Sequence, residues 1–449
     1  MKKLFGTDGV RGEANQYPMT PEVALSLGQA IACYFQKQKT AKRIVIGKDT
    51  RRSSYMIEQS IAAGVCSMGR DAVLLGPIST PGVAFLTRAM RADAGIMISA
   101  SHNPFNDNGI KFFDHDGYKL SDKVELEIER MIEKGFQDET RPTGGDIGKA
   151  YRVDDSTGRY VEFVKRTFPK NARLDDIKVI IDCANGAAYK QAPMALWELG
   201  ADLVCWGIKP NGININLDCG ALHPEKMCKM VLKHGANIGI ALDGDADRAI
   251  ICDENGKIID GDQIIALCAL ELASQGFLTD NNVVGTIMTN LGVESYLKSK
   301  GVNLIRTQVG DRYIIEKMRK ENISFGGEPS GHIIFHYHNT TGDGIIAALQ
   351  VLAIMQRSQK PLSELIKEIP LYPQVSTKIH VQDKIPLEDL PAMQQALKEL
   401  DCQLKGKGRA VVRYSGTEPV LRLMIEGEDE ALINGELTKL ITVAEATLQ

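Results

Sequence analysis

The sequence has no pair of cysteines at C-x-x-C spacing, no long apolar run, no heptad array, no low-complexity tract and no polybasic tail. Each absence removes a class of protein. The nine cysteines are odd in number and scattered from Cys33 to Cys402, which argues against a disulfide framework or thiolate metal site and for buried free thiols. The longest apolar stretches, near 264–273 and 345–355, reach about half of the roughly 20 residues that span a bilayer, so no membrane partner is expected. Lys2 and Lys3 would suit a signal peptide, but Asp8, Arg11 and Glu13 stand where its apolar segment belongs, so the expected location is cytoplasmic. The 53 basic and 57 acidic residues leave a net charge of −4, too balanced to draw a nucleic acid partner.

What remains is an ordinary globular composition, with 43 % apolar and 24 % charged residues, over a 449-residue chain long enough for three or four domains. Three stretches repeat one theme: apolar strand, polar or glycine-bearing loop, helix ending near glycine, second apolar strand. RIVIG at 43–47 leads to DAVLLG at 71–76, KVIID at 178–182 to ADLVCW at 201–206, and NVVGTIM at 282–288 to VNLIRT at 302–307. These read as three βαβ units with parallel strand pairs, which place ligand loops at strand ends. The polar segment 137–149, the turn DENG at 253–256 and the proline-marked 370–373 punctuate the repeats. They predict domains over 1–150, 151–255, 256–369 and 370–449, the last without the repeat.

Four loops carry chemistry. In GIMISASHNP the apolar strand 95–98 runs out into Ser101, a hydroxyl at a strand end, with His102, a turn and then Lys111 following. In DGDADR, Asp243, Asp245 and Asp247 stand between apolar strands. An extended loop would aim all three carboxylates the same way, at a hard cation best read as magnesium. An EF-hand is the rival, with Glu254 in twelfth place, but Arg248 occupies the position that needs glycine and the flanks are strands. GGEPSGH offers Glu328 and Ser330 to sugar hydroxyls. His332 reads as a proton carrier or, less well, as part of a metal cluster with His336 and His338. In RYSGTEPVLR, Arg413, Ser415, Gly416, Thr417 and Arg422 make a phosphate cradle that is neither a Walker A nor a Rossmann loop. Nucleophile, metal loop, sugar loop and phosphate cradle together describe phosphoryl transfer on a phosphorylated sugar.

LFGTDGVRG at 4–12, SASHNP around Ser101, DGDADR at 243–248, GGEPSGH at 326–332 and RYSGTEP at 413–419 fall in one order along the chain, and in that order the sequence resembles the α-D-phosphohexomutase family. FGTDGVRG, CGALHPE at 219–225 and VGDRY at 309–313 look like its glucosamine-phosphate branch. The resemblance implies an α/β fold of four domains around a central cleft. Three are related α/β domains with mixed sheets, and the C-terminal one is a TATA-binding-protein-like α+β domain. It also implies a phosphoserine at Ser101 that converts glucosamine 6-phosphate to glucosamine 1-phosphate through the 1,6-bisphosphate, which serves as intermediate and activator, toward UDP-N-acetylglucosamine and cell wall. One magnesium ion would be held by Asp243, Asp245, Asp247 and the phosphate on Ser101. Lys111, His332 and Arg11 would move protons or stabilise charge, and Arg248 would lie near the phosphoserine. Glu328 and Ser330 would bind sugar; Arg413, Ser415, Gly416, Thr417 and Arg422 would bind phosphate. The chain would act as a monomer or homodimer.

Pro329, Ala246, Tyr414 and the Ala221-Leu222 pair depart from the family pattern without removing a charged or nucleophilic group. Turnover of mannose or glucose phosphates is the alternative within the family. A phosphatase acting through the same serine and a non-catalytic phosphosugar binder are the alternatives outside it.

Overall fold

In the computed structural model the described residues are 4–6, 8–36, 42–136, 141–415 and 419–448. Each of the three repeats forms the predicted parallel pair: Arg43–Lys48 with Asp71–Pro77, Lys178–Asp182 with Asp202–Trp206, and Asn282–Thr286 with Asn303–Thr307. The first sheet has six strands in the order Val10–Glu13, Asp107–Asp114, Ala94–Ile98, Arg43–Lys48, Asp71–Pro77, Ala150–Arg152. Every residue of Ala94–Ile98 is buried, as a central strand covered by helices on both faces requires, hence the unbroken apolar run. The strand Ala150–Arg152 pairs in parallel with Asp71–Pro77, so a boundary drawn at 150/151 falls inside a strand of the first sheet.

The second sheet runs Ile258–Ile259, Ala249–Cys252, Ile238–Leu242, Lys178–Asp182, Asp202–Trp206, and the third Asn303–Thr307, Asn282–Thr286, Phe325–Gly327, Ile333–Phe335. All three sheets mix parallel and antiparallel pairs. The fourth domain is different. Gln374–His380, Val420–Gly427 and Gly408–Tyr414 form an antiparallel sheet packed against the helices Pro391–Leu404 and Glu430–Leu448.

One apolar core runs continuously through the first three domains, from Val83 and Tyr160 through Leu242 and Ile265 to Phe335 and Ile346. At about 1.5–3 kcal/mol for each large side chain fully buried, that continuity holds the three domains as one body. The fourth domain has its own core, centred on Leu421, Leu423 and Ile425 with Met393, Leu400 and Ile433. It meets the third through polar contacts: Arg409 Nη2 donates to Thr289 O (2.8 Å), and Asn290 exchanges two hydrogen bonds with the Tyr372 backbone (2.9 and 3.0 Å). Three of the four chemical loops leave the C-terminal ends of core strands: Ser101 follows Ala94–Ile98, Asp243 follows Ile238–Leu242 and Glu328 follows Phe325–Gly327.

Candidate active site

Beyond Ile98 the chain cannot continue the ladder, because Ser101 has a left-handed backbone (φ 53°) and Pro104 follows. Ser99 Oγ accepts the Ser101 N–H (3.0 Å) and itself donates to Asp49 Oδ2 (2.7 Å). So held, Ser101 Oγ donates to Asp243 Oδ2 at 2.6 Å and lies 3.3 Å from His102 Nδ1. The expected nucleophile and the expected metal loop, 142 residues apart, are in direct contact.

The aspartate loop joins the antiparallel strands Ile238–Leu242 and Ala249–Cys252, whose last pair is Leu242 with Ala249. It is not extended, as the alternation argument assumed. It curls, with Ala246 left-handed (φ 56°) and its N–H on Asp243 O (3.1 Å), a backbone that glycine would adopt at less cost. Curling still brings one oxygen from each of Asp243, Asp245 and Asp247 within 4.8 Å of the others, all three residues being buried. Gly244 is required for another reason: a Cβ there would lie 2.4 Å from Ser101 O. Asp245 Oδ1 and Asp247 Oδ1 are buried with no hydrogen-bond partner. Two orphaned carboxylate oxygens inside an all-oxygen donor set fit a hard divalent cation. Among the described residues this is the one group of His, Cys, Asp or Glu able to hold a metal. The EF-hand alternative fails on its flanks, which are strands.

Charge around the triad is arranged to compensate it. Burial pushes the Asp243 carboxyl well above its ordinary pKa, and Asp247 and Asp245 push it further. Asp247 goes the other way, because Lys111, His332 and Arg248 outweigh its burial. Lys111, only 2 % exposed, places Nζ 2.8 Å from Asp245, 3.3 Å from Asp8 and 3.7 Å from Asp247. Burial alone would lower its pKa, yet these carboxylates raise it, so Lys111 is firmly an ammonium. For His332 burial again works downward and is outweighed by Asp247 and Asp311, each with an oxygen 3.7 Å from a ring nitrogen. The Gly342 N–H donates to its Nε2 (3.2 Å).

Arg11, Ser101, His102, Asp247, Arg248, Glu328 and His332 line one cleft of about 1070 Å³ between the first three domains. Glu328 accepts the Gly310 N–H (2.9 Å) through one oxygen and lies 3.4 Å from Ser330 Oγ through the other. The three histidines do not gather. His336 Nε2 pairs with Tyr118 Oη (2.7 Å), and His338 lies against Tyr337 with its pKa lowered by burial to about 4. Arg413, Ser415 and Arg422 do not line this cleft. Arg413 and Arg422 are directly opposed across two strands of the fourth domain, and burial, then Arg422, lowers the Arg413 pKa. Gly416 and Thr417 lie outside the described residues.

Several residues at the site had no role in the sequence reading. Asp8 and Asp311 line the cleft, and Lys119 pairs with both. Arg51 and Asn216 support the serine loop from behind. FGTDGVRG and VGDRY, read only as marks of a branch, contained the signal for Asp8 and Asp311.

Four consecutive stretches match the phosphoglucomutase/phosphomannomutase family: alpha/beta/alpha domain I over residues 2–139, domain II over 158–256, domain III over 260–372 and the C-terminal domain over 377–441. A phosphoglucosamine mutase of Citrifermentans bemidjiense is 55 % identical over 430 residues, 96 % of this chain and 95 % of that one. One from a Geobacter species is 53 % identical over 448 residues, covering 100 % and 99 %. Among solved structures, a phosphoglucomutase/phosphomannomutase family protein from Burkholderia thailandensis superimposes with a TM-score of 0.82 at 22 % identity, over 99 % of this chain and 97 % of that one. Aspergillus fumigatus N-acetylphosphoglucosamine mutase, in complex with GlcNAc-6P and magnesium, does so with 0.68 at 17 % identity, over 98 % and 95 %. With all four domains matched in order along its length, the chain belongs to the phosphoglucomutase/phosphomannomutase family.

Proposed function

We propose that the protein interconverts glucosamine 6-phosphate and glucosamine 1-phosphate, as a phosphoglucosamine mutase, through a phosphoserine at Ser101 and a glucosamine 1,6-bisphosphate intermediate. One observation carries the reading: Ser101, which lines the cleft between the first three domains, has its Oγ 2.6 Å from Asp243, in a chain 55 % identical to a phosphoglucosamine mutase. In the first half-reaction the 1-hydroxyl of glucosamine 6-phosphate attacks the phosphorus on Ser101. The P–Oγ bond breaks as the new P–O ester forms, and the hydroxyl gives up its proton. The bisphosphate then turns end for end, and in the second half-reaction Ser101 Oγ, giving up its proton, attacks the phosphorus of the 6-phosphate. That P–O bond breaks, the sugar oxygen takes up a proton, and glucosamine 1-phosphate leaves the phosphoserine re-formed.

Lys111, held as an ammonium among three carboxylates, is suited to stabilising charge and not to taking a proton. His332, a cleft-lining imidazole with a raised pKa, is the better proton carrier. Arg11 and Arg248 line the same cleft and would orient the phosphoryl oxygens, while Glu328 and Ser330 would bind sugar hydroxyls. Arg413, Ser415, Gly416, Thr417 and Arg422 would hold whichever phosphate is not reacting. Asp243, Asp245 and Asp247, with the phosphate on Ser101, would hold magnesium, which when bound supplies charge neutralisation at the transferring phosphoryl group. A cytoplasmic monomer or homodimer completes the reading.

Phosphorus NMR tests it, with protein phosphorylated on Ser101, magnesium and a trace of bisphosphate, beside a Ser101→Ala control. Glucosamine 1-phosphate should appear from glucosamine 6-phosphate and fail to appear in the control. Turnover of mannose or glucose phosphates alone would move the protein to another branch of the family. No turnover of any of them would overturn catalysis.

A further inference from the structure

The left-handed backbone of Ser101 is closed into a ring of buried hydrogen bonds, and a side chain of another domain meets that ring at the Ser101 carbonyl. The Ser101 N–H leads through Ser99 Oγ to Asp49. Asp49 binds Arg51 Nε (2.7 Å), and Arg51 Nη2 returns to Ser101 O (2.9 Å). The same Nη2 reaches Asn103 O (2.9 Å), while Nη1 binds the carbonyls of Pro104 and Asp107. Asp49 and Arg51 are both 0 % exposed.

From the second domain, Asn216 Nδ2 reaches the same two carbonyls, Ser101 O at 2.9 Å and Asn103 O at 3.0 Å. Two side chains, one from each domain, thus bridge the same pair of oxygens. Asn216 is itself left-handed (φ 59°) and buried, and a Cβ on Gly244 would meet both its Nδ2 and Ser101 O. It therefore sits where the serine and aspartate loops touch. Neither Arg51 nor Asn216 lines the cleft, so neither is placed to contact a sugar.

We propose that Asn216, with the Asp49–Arg51 pair, is a positioning clamp that sets the Ser101 backbone, and so aims Oγ, by tying the serine loop to the second domain. The inference rests on Ser101 being the phosphoryl carrier. A misplacement of about 1 Å costs on the order of 100-fold in rate for a reaction that depends on alignment, so the clamp acts on kcat and leaves sugar binding alone.

The test uses the full chain phosphorylated on Ser101, with Asn216→Asp, which turns an acceptor toward both carbonyls, and Asn216→Gly, which keeps the backbone and removes the side chain. Ser99→Ala opens the ring on the other side of Ser101 and is the second arm should the Asn216 variants fold poorly. In each, kcat should fall about 10- to 100-fold with KM for glucosamine 6-phosphate within about twofold. Hydrogen exchange over peptide 99–106 should quicken while the strand 94–98 stays protected. If Asn216 merely joined two domains, the melting midpoint would fall with kcat unchanged at saturation, and that result overturns the proposal. So does unchanged exchange over 99–106 in Ser99→Ala. Exchange needs no substrate: a parent enzyme that turns over no hexose phosphate would sink the mutase reading while the exchange data still decide the clamp.

Discussion

Lys119, from the first domain, pairs at once with Asp8 of its own domain and with Asp311 of the third. Each of the three side chains is only about a fifth exposed. Lys119 raises above its ordinary pKa because the two carboxylates outweigh its burial, and Asp8 and Asp311 are lowered because neighbouring cations outweigh theirs. Lys119→Met should therefore leave two carboxylates facing each other across a domain boundary. The expected cost is about 1–3 kcal/mol, below the value for a fully buried pair because water reaches the site. Thermal unfolding would show a lowered midpoint, and 0.5 M salt should shrink the difference by screening the repulsion.

Asp243 is the carboxyl of the triad that Ser101 contacts, and its charged form is disfavoured by burial and by the neighbouring Asp247 and Asp245. Replacing it with Asn removes one of three like charges while keeping an acceptor for Ser101 Oγ. Without metal, Asp243→Asn should melt higher than the parent. Magnesium should raise the parent's midpoint and not the variant's, since binding to the folded state alone stabilises by mass action. Activity should fall by about 1,000-fold or more, a stability gain set against function. Calorimetry with magnesium and with a chelator separates these effects; a magnesium-dependent shift of the parent's size in the variant would remove Asp243 from the metal site.

How much of this was legible in the sequence depended on distance along the chain. The βαβ units could be read because strand, loop, helix and glycine stop are local, and their parallel pairing follows from connection geometry. The aspartate triad could be read because three carboxylates lie within five residues, although they converge through a curl at Ala246 and not through extended alternation. Arg51 could not. In KDTRRSS nothing local separates Arg51, wholly buried under the serine loop, from its exposed neighbour Arg52. Asn216 reaches Ser101 from 115 residues away, and Lys119 reaches Asp311 from 192. Such pairings are properties of the assembled domains, and no periodicity records them.

His332 is held in place by the absence of a methyl group. A Cβ at Gly342 would come within 2.5 Å of Cε1 and Nε2 of the imidazole, and the Gly342 N–H donates to that same Nε2 (3.2 Å). Gly342 has no left-handed backbone, so alanine there is refused by contact alone. Gly342→Ala should push the ring out of its place between Asp247 and Asp311. If His332 carries the proton, kcat should fall about 10- to 1,000-fold, with the fold retained by circular dichroism and magnesium binding intact. Gly342→Ala and His332→Ala should then be non-additive, the double variant being little worse than His332→Ala. Additive losses would mean that Gly342 acts on something other than the ring.

The boundary between the third and fourth domains holds a carboxyl that opposes folding at neutral pH. Asp262, at the start of the helix Gly261–Ser274 and 2 % exposed, has its pKa pushed up to about 7 by burial, with Asp260 and Glu426 adding repulsion. One of its oxygens accepts the Asn290 N–H (2.8 Å); the other has no partner. A carboxyl whose pKa is higher folded than unfolded keeps its proton better in the folded state, so folding is favoured below the unfolded value. That advantage is lost as pH rises from about 4 to about 7, by up to roughly 4 kcal/mol for a rise of about three units. Asp262→Asn keeps the acceptor for Asn290, removes the charge and turns an amide toward two carboxylates. The variant should therefore melt several degrees above the parent at pH 8, with the gain shrinking as pH falls toward about 4. Parallel pH profiles for the two proteins would show that Asp262 stays charged in the folded state, and that the junction tolerates the charge by means other than protonation.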